Sequence, residues 1–189
     1  MLRTLQPLAG EAKLRAALDA FAPDVRGKVA LDVGAAAGGF TRVLLEAGAR
    51  RVYAVDAGFG QLLGSVRQDA RVVNLERTNL GELDTTRVPE PIDIATIDVS
   101  YISLARALPQ LAKLSFAPTV ELIALVKPMF ELALAEAPSD PALLAEALAR
   151  ANAGIEAAGW TVVAAIDSPV LGHHGAREML VHARRGGSE

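Results

Sequence analysis

The stretch Asp32-Val33-Gly34-Ala35-Ala36-Ala37-Gly38-Gly39-Phe40-Thr41 decides how this chain folds. It follows directly on the apolar run Val29-Ala30-Leu31 and predicts a strand, a glycine-rich turn and then a helix from Gly39 to Ala47, stopped by Gly48. A second apolar run, Val52-Tyr53-Ala54-Val55, ends in Asp56. That acid falls about 20 residues beyond the first glycine, where the next strand of a doubly wound sheet offers a carboxylate to ribose hydroxyls.

The spacing of the glycines narrows the ligand. A dinucleotide turn uses G-x-G-x-x-G so that a pyrophosphate can rest on the helix N-terminus. Here the order is Gly34-Ala35-Ala36-Ala37-Gly38-Gly39, with Asp32 just ahead of it. An acid in that place repels pyrophosphate and suits a ligand with an ammonium group, unless Asp32 only braces the turn. S-adenosylmethionine carries an ammonium, a sulfonium, an adenine and a ribose, and no phosphate. Gly34, Gly38, Gly39 and Phe40 are the residues expected to shape the turn for it, with Asp56 on the ribose.

Working outward, strands are predicted at Lys28–Val33, Arg51–Asp56, Arg71–Leu75, Ile92–Ile97, Val120–Val126, Trp160–Ile166 and Glu178–Ala183. Helices are predicted at Leu8–Phe21, Gln61–Gln68, from a Ser103 cap to Leu114, and over Pro141–Ala158 with Asp140 as its cap. Alternation of the two implies a mostly parallel sheet covered on both faces. The last two strands have no helix between them, so the final one is expected to insert antiparallel. The result is a single α/β domain over residues 1–189, with a frayed tail over 184–189. Asp32, Asp56, Glu76, Asp98 and Lys127 each close an apolar run, at the sheet end where such folds bind ligands.

Composition excludes several classes. The absence of cysteine removes disulfide scaffolds, thiolate metal sites and cysteine nucleophiles. With 51% hydrophobic but only 4% aromatic residues, the core must be aliphatic. Charged residues break the apolar pattern of Leu2–Ala20, and no run approaches the ~18 residues of a membrane span, so a cytoplasmic protein without membrane contact is expected. His173 and His174 in a glycine loop read as exposed turn residues, and no metal site is expected. Among 19 cationic residues only four are lysine: Lys13, Lys28, Lys113 and Lys127. Lysine, unlike arginine, can lose its proton when desolvated.

The strings around Gly34 and Asp56, together with Leu75-Glu76-Arg77-Thr78-Asn79, Ile97-Asp98-Val99-Ser100-Tyr101-Ile102-Ser103 and Leu125-Val126-Lys127-Pro128-Met129-Phe130-Glu131, resemble the TlyA (haemolysin-A-type) branch of the FtsJ-like RNA 2′-O-methyltransferases. The resemblance runs from about Leu8 to Arg184. It implies a Rossmann-like class I S-adenosylmethionine-dependent methyltransferase fold, a seven-stranded mostly parallel sheet with an antiparallel last strand. It also implies transfer of a methyl group to a ribose hydroxyl of RNA, mainly ribosomal RNA. The family's Lys-Asp-Lys-Glu tetrad falls on Lys13, Asp98, Lys127 and Glu178, and its cofactor positions include Asp98 and Asn79, the latter near the adenine. Typical members begin with an S4-type RNA-binding module, and against that pattern this chain is expected to start at or near the catalytic domain. The Ser-Arg-Gly-Gly stretch usual before the first lysine is Leu8-Ala9-Gly10-Glu11 here, an arginine lost and an acid gained.

A ribose hydroxyl is a poor nucleophile, so the chemistry calls for a group that weakens its O–H bond and aligns it. Lys127 is expected in that role, with Asp98 positioning it and Glu178 balancing the lysines. Phe59 and Tyr101 are either base-stacking groups or core. Clustering of Arg3, Lys13, Arg15, Arg77, Arg106 and Arg177 at the pocket mouth would favour RNA; scattering would favour a small-molecule acceptor. A cofactor-binding protein with little activity is the further alternative. The membrane-lytic activity that the haemolysin name would imply lacks a spanning or anchoring segment.

Overall fold

The first strand sets the geometry of everything else. The computed structural model describes residues 8–187, and in it β1 (Val29–Val33) is buried along its whole length. Val29, Leu31 and Val33 enter one core, and Ala30 enters the other with Asp32 on its own side of the strand. Burial on both faces is what a central parallel strand requires.

Around it lie β2 (Arg51–Asp56), β3 (Val72–Glu76), β4 (Ile92–Ile97), β5 (Phe116–Val126), β6 (Thr161–Asp167) and β7 (Met179–Arg185). They form one seven-stranded sheet in the order β3-β2-β1-β4-β5-β7-β6. All pairings are parallel except those of β7, which is antiparallel to both β5 and β6. The expected fold class and antiparallel final strand are therefore observed.

One face is covered by α1 (Ala9–Phe21) and α2 (Gly39–Glu46), whose Leu14, Ala17, Val43 and Leu44 pack on Ala30, Val52, Ile94 and Ile123. The other is covered by α4 (Leu104–Ala107) and α6 (Pro141–Ala157), through Leu104, Ala107, Ala151 and Ile155. The two remaining helices are single turns, α3 (Gly64–Arg67) and α5 (Pro128–Glu131). Asp140 caps α6 as expected, accepting the Ala142 N–H at 2.7 Å. The largest fully buried side chains are all leucine and isoleucine.

Several boundaries move. The predicted helix 61–68 shrinks to α3, and the helix after Ser103 turns into a 3-10 segment at Leu108–Leu111, where Pro109 cannot donate to the ladder. Strand β5 starts at Phe116 rather than Val120, because Pro118 sits where the register shifts, a bulge that tolerates a missing donor. Arg184 and Arg185 belong to β7 and not to a frayed tail. Residues 188–189 of that tail, and Arg3 of the basic set, lie outside the described residues.

Candidate active site

Two cavities open at the carboxyl end of the parallel strands. The smaller, about 250 Å³, is lined by the ends of β1, β2 and β4: Gly34, Ala36, Asp56, Thr78, Leu80, Asp98, Ser100 and Tyr101 among others. The larger, about 480 Å³, is lined by Lys13, Ser100, Lys127, Met129, His173, His174 and Glu178 among others. Ser100 is common to both linings.

The turn after β1 is shaped by contact as much as by flexibility. Gly34 has φ +83°, and a Cβ there would stand 2.2 Å from the carbonyl oxygen of Asp98. Any side chain would push β1 and β4 apart. Asp56 is held ready: its Oδ2 accepts the Ala36 N–H at 2.8 Å and its Oδ1 the Gly58 N–H at 2.7 Å. Each oxygen keeps a further lone pair for a ligand hydroxyl.

Other expected cofactor residues sit elsewhere. Asp32 is fully buried behind the turn; Thr41 of α2 donates to its Oδ2 at 2.6 Å and Thr96 of β4 to its Oδ1 at 2.9 Å. Burial pushes its carboxyl up to about 6 against the two hydroxyl bonds, so of its two sequence readings the structure gives the brace. Phe40 is buried in the core beneath α1. Gly38 meets Leu62, and Gly39 meets the backbone of Gly10 and Glu11, so Gly39 lets α1 close on α2. Asn79 is exposed, its N–H bonded to Glu82 Oε2 at 2.9 Å; its neighbours Thr78 and Leu80 line the cavity. Glu76 accepts the N–H of Gln61 at 2.7 Å and organises that loop.

The four tetrad positions come together as two ion pairs. Lys13 Nζ lies 2.6 Å from Glu178 Oε2, and both side chains are buried. Lys127 Nζ lies 2.5 Å from Asp98 Oδ1 and donates to Ser100 Oγ at 2.5 Å. Helix α1 runs along β7, joined at one end by Lys13–Glu178 and at the other by Phe21 stacked on His182, ring centroids 5.2 Å apart. On β5, Lys127 leads into α5, whose Glu131 reaches back to the Leu104 N–H of α4 at 2.8 Å. That buried carboxyl is pushed up by desolvation.

Among the described residues, no lysine, arginine or histidine lines the smaller cavity, which presents Asp56 and Asp98. A cationic, phosphate-free ligand fits such a wall and a pyrophosphate does not. Among the described residues of the basic set that sequence reasoning singled out, Lys13 alone lines either cavity. Arg15 pairs with Glu46, Arg177 with Asp167, and Arg77 stacks on Phe59 at 3.8 Å. Phe59 and Tyr101 are exposed and not core. His173 and His174 are exposed as expected, yet they also wall the larger cavity. Among the described residues no cluster of potential ligands could hold a metal. Sequence reasoning missed the Thr41–Asp32–Thr96 network, the bond from Lys127 to Ser100 and the tie from Glu131 to Leu104. The Ile97–Ser103 string contained the signal for the second, since Asp98 and Ser100 stand two residues apart.

The FtsJ-like methyltransferase family profile matches residues 10–185. The chain belongs to the FtsJ-like methyltransferases. Within this family it is 39% identical over 180 residues to the 16S/23S rRNA (cytidine-2′-O)-methyltransferase TlyA of Mycobacterium tuberculosis. That alignment covers 93% of this chain and 67% of the relative, so the chain spans about two thirds of that protein. A crystal structure of a candidate hemolysin from Lactococcus lactis superposes with a TM-score of 0.89 at 34% identity, covering 96% of this chain and 89% of that one. An S-adenosylmethionine-dependent methyltransferase from Mesorhizobium loti shares the fold at 18% identity and a TM-score of 0.64, covering 92% of this chain and 98% of that one. Among the described residues of this FtsJ-like chain, no helix is long and apolar enough to cross a membrane.

Proposed function

We propose that this chain is an S-adenosylmethionine-dependent RNA methyltransferase that modifies a ribose 2′-hydroxyl, with ribosomal RNA as the acceptor. The observation that carries this reading is the junction of the two cavities. The acid-lined one is bounded by Asp98, the other by Lys127, and those two residues form one ion pair across the boundary. The TlyA relative named for cytidine-2′-O methylation supports the acceptor class. Such a substrate would have the protein act in the cytoplasm.

S-adenosylmethionine, when bound, supplies a methyl group on a sulfonium whose sulfur departs with the electron pair of the broken bond. Asp56 accepts the ribose hydroxyls of that ligand. Asp98 faces its positive end and holds Lys127 by charge. Lys127 Nζ stands at the mouth of the larger cavity, where, once its ammonium has given a proton to solvent, the neutral amine would take the proton of the acceptor hydroxyl as the methyl group is transferred. Lys13, neutralised by Glu178, closes the wall on the other side. Alignment of hydroxyl and methyl supplies up to ~7–11 kcal/mol of such a barrier, and a general base adds roughly 10²–10⁴-fold.

A small-molecule acceptor is the second reading, favoured by the dispersal of Arg15, Arg77 and Arg177 into separate contacts rather than a ring about the cavity. Titration calorimetry separates the two. The expected result is binding of S-adenosylmethionine, then binding of a structured rRNA fragment to the loaded protein and methyl transfer to it. Lys127→Met should bind the cofactor and transfer nothing. Full activity in that variant would overturn the assignment of Lys127, and cofactor binding without any RNA binding would favour the small acceptor.

A further inference from the structure

Beyond Asp98 and Lys127, we propose that Ser100 is a positioning residue of the reaction: its hydroxyl fixes the direction in which the Lys127 amine faces the acceptor. The inference rests on the reading of Lys127 as the group that meets the acceptor hydroxyl.

The local sequence accounts for the placement. Past the end of β4 the chain leaves the ladder at Asp98 and Val99 and bends at Ser100. Val99 packs with Leu104 and Val126 in the core and also borders the smaller cavity. Asp98 and Ser100 flank it in that lining, and Ser100 lines the larger cavity together with Lys127 at the end of β5. A β-branched apolar residue between the two polar ones anchors both.

The two contacts to Nζ differ in kind. Asp98 Oδ1 stands 2.5 Å away without the alignment of a hydrogen bond; the oxygen has no hydrogen-bond partner among the described residues. The contact is an attraction of charges, which does not constrain angle. Ser100 Oγ, also 2.5 Å away, accepts a directed N–H bond. It is the one hydrogen bond that Nζ makes among the described residues, and hydrogen bonds weaken steeply away from linearity. A flexible four-carbon side chain held by charge alone could swing its amine about the carboxylate. With one N–H committed to Ser100 and the charge drawn to Asp98, the remaining tetrahedral direction of the nitrogen faces the larger cavity. The resting ammonium carries an N–H there; once that proton has passed to solvent the lone pair of the amine takes its place, and that is where a proton leaving the acceptor must arrive. Ser100 is also the residue that touches both cavities, so the same hydroxyl registers the amine against the cofactor side.

The test compares Ser100→Ala, Ser100→Thr and Lys127→Met in the complete protein, using S-adenosylmethionine and an rRNA fragment. Ser100→Ala should lower kcat by about 10- to 100-fold, the cost of a misdirected reacting group. Its cofactor Kd and acceptor KM should stay within about twofold, because the removed bond is to Lys127 and not to either ligand. Ser100→Thr, which keeps the hydroxyl, should recover most of kcat. Ser100→Ala at full kcat beside an inactive Lys127→Met overturns the inference while leaving the role of Lys127 intact. A loss confined to KM overturns it too, since it would make Ser100 an acceptor contact. An active Lys127→Met instead removes the reading on which the inference stands.

Discussion

Gly172 lies directly against the carboxyl group of Glu178: a Cβ there would stand 2.2 Å from Oε1 and 2.5 Å from Cδ. The glycine is therefore a condition for the Lys13–Glu178 pair, although five residues separate it from the acid. Gly172→Ala should fold, because a carboxylate at the end of a side chain can move where backbone cannot. It should lose at least about tenfold in kcat as the pair loses alignment, with cofactor affinity unchanged because Gly172 is remote from the smaller cavity. Single-turnover methyl transfer beside a cofactor titration measures both.

The Lys13–Glu178 pair is buried at both ends, so removing one partner strands a charge. Lys13→Met should destabilise the protein by roughly 3–5 kcal/mol, and the double variant Lys13→Met/Glu178→Leu should regain most of that loss. Neither should regain activity if the charges serve the acceptor site. Urea denaturation of the three proteins, with a methyl-transfer assay on each, checks both statements; an active double variant would reduce the pair to scaffolding.

Gly34→Ala combines a left-handed backbone with a clash against the Asp98 carbonyl, which belongs to a buried strand end and cannot yield. The variant should lose cofactor binding altogether, and its midpoint of unfolding should fall by the equivalent of about 1 kcal/mol or more. Calorimetric titration with S-adenosylmethionine reads the first and thermal denaturation the second. Retained binding would mean that the turn opens without consequence for the ligand.

Asp32 offers a pH test. Its carboxyl sits at about 6 in the fold, raised by burial from an ordinary value of 3.8. The fold therefore prefers the protonated form. The contribution is fully present below pH ~4, and it is lost as pH rises to about 6, where the folded protein ionises too. The window amounts to on the order of 3 kcal/mol. Asp32→Asn removes the titration, so the stability of the variant relative to the parent should rise between pH 4 and 7 and level off above. A flat difference across that range would place the carboxyl at its ordinary value.

The same residue shows where sequence reading reached its limit. The end of an apolar run marked Asp32 correctly, yet β1 is central and buried on both faces, so a polar residue on it must find partners inside. Those partners, Thr41 and Thr96, lie on another helix and another strand, and no spacing in the sequence announces them. At Asp56, Asp98 and Lys127 the run ends where the strand meets a cavity, so position along the strand alone was enough to place them there. Gly38 and Gly39 were legible as glycines but not by purpose: the contacts with Leu62 and Gly10 come from segments that only the fold brings near. Phe40 went the same way, its ring turned toward α1 by helical phase. The pairing of the tetrad into Lys13–Glu178 and Asp98–Lys127 likewise depends on which strand ends adjoin.

The reversed last strand has a temporal consequence. Because β7 runs against its neighbours, it brings its first residues to the working end of the sheet, so Glu178 arrives there only after the six other strands have been made. Its partner Lys13 is separated from it by 165 positions and precedes all seven strands. A nascent chain that has completed α6 already holds the acid-lined cavity, with β1, β2 and β4 in hand, but lacks the wall opposite. The acceptor half closes only when β7 is in place, and a chain cut anywhere before Glu178 lacks one side of it.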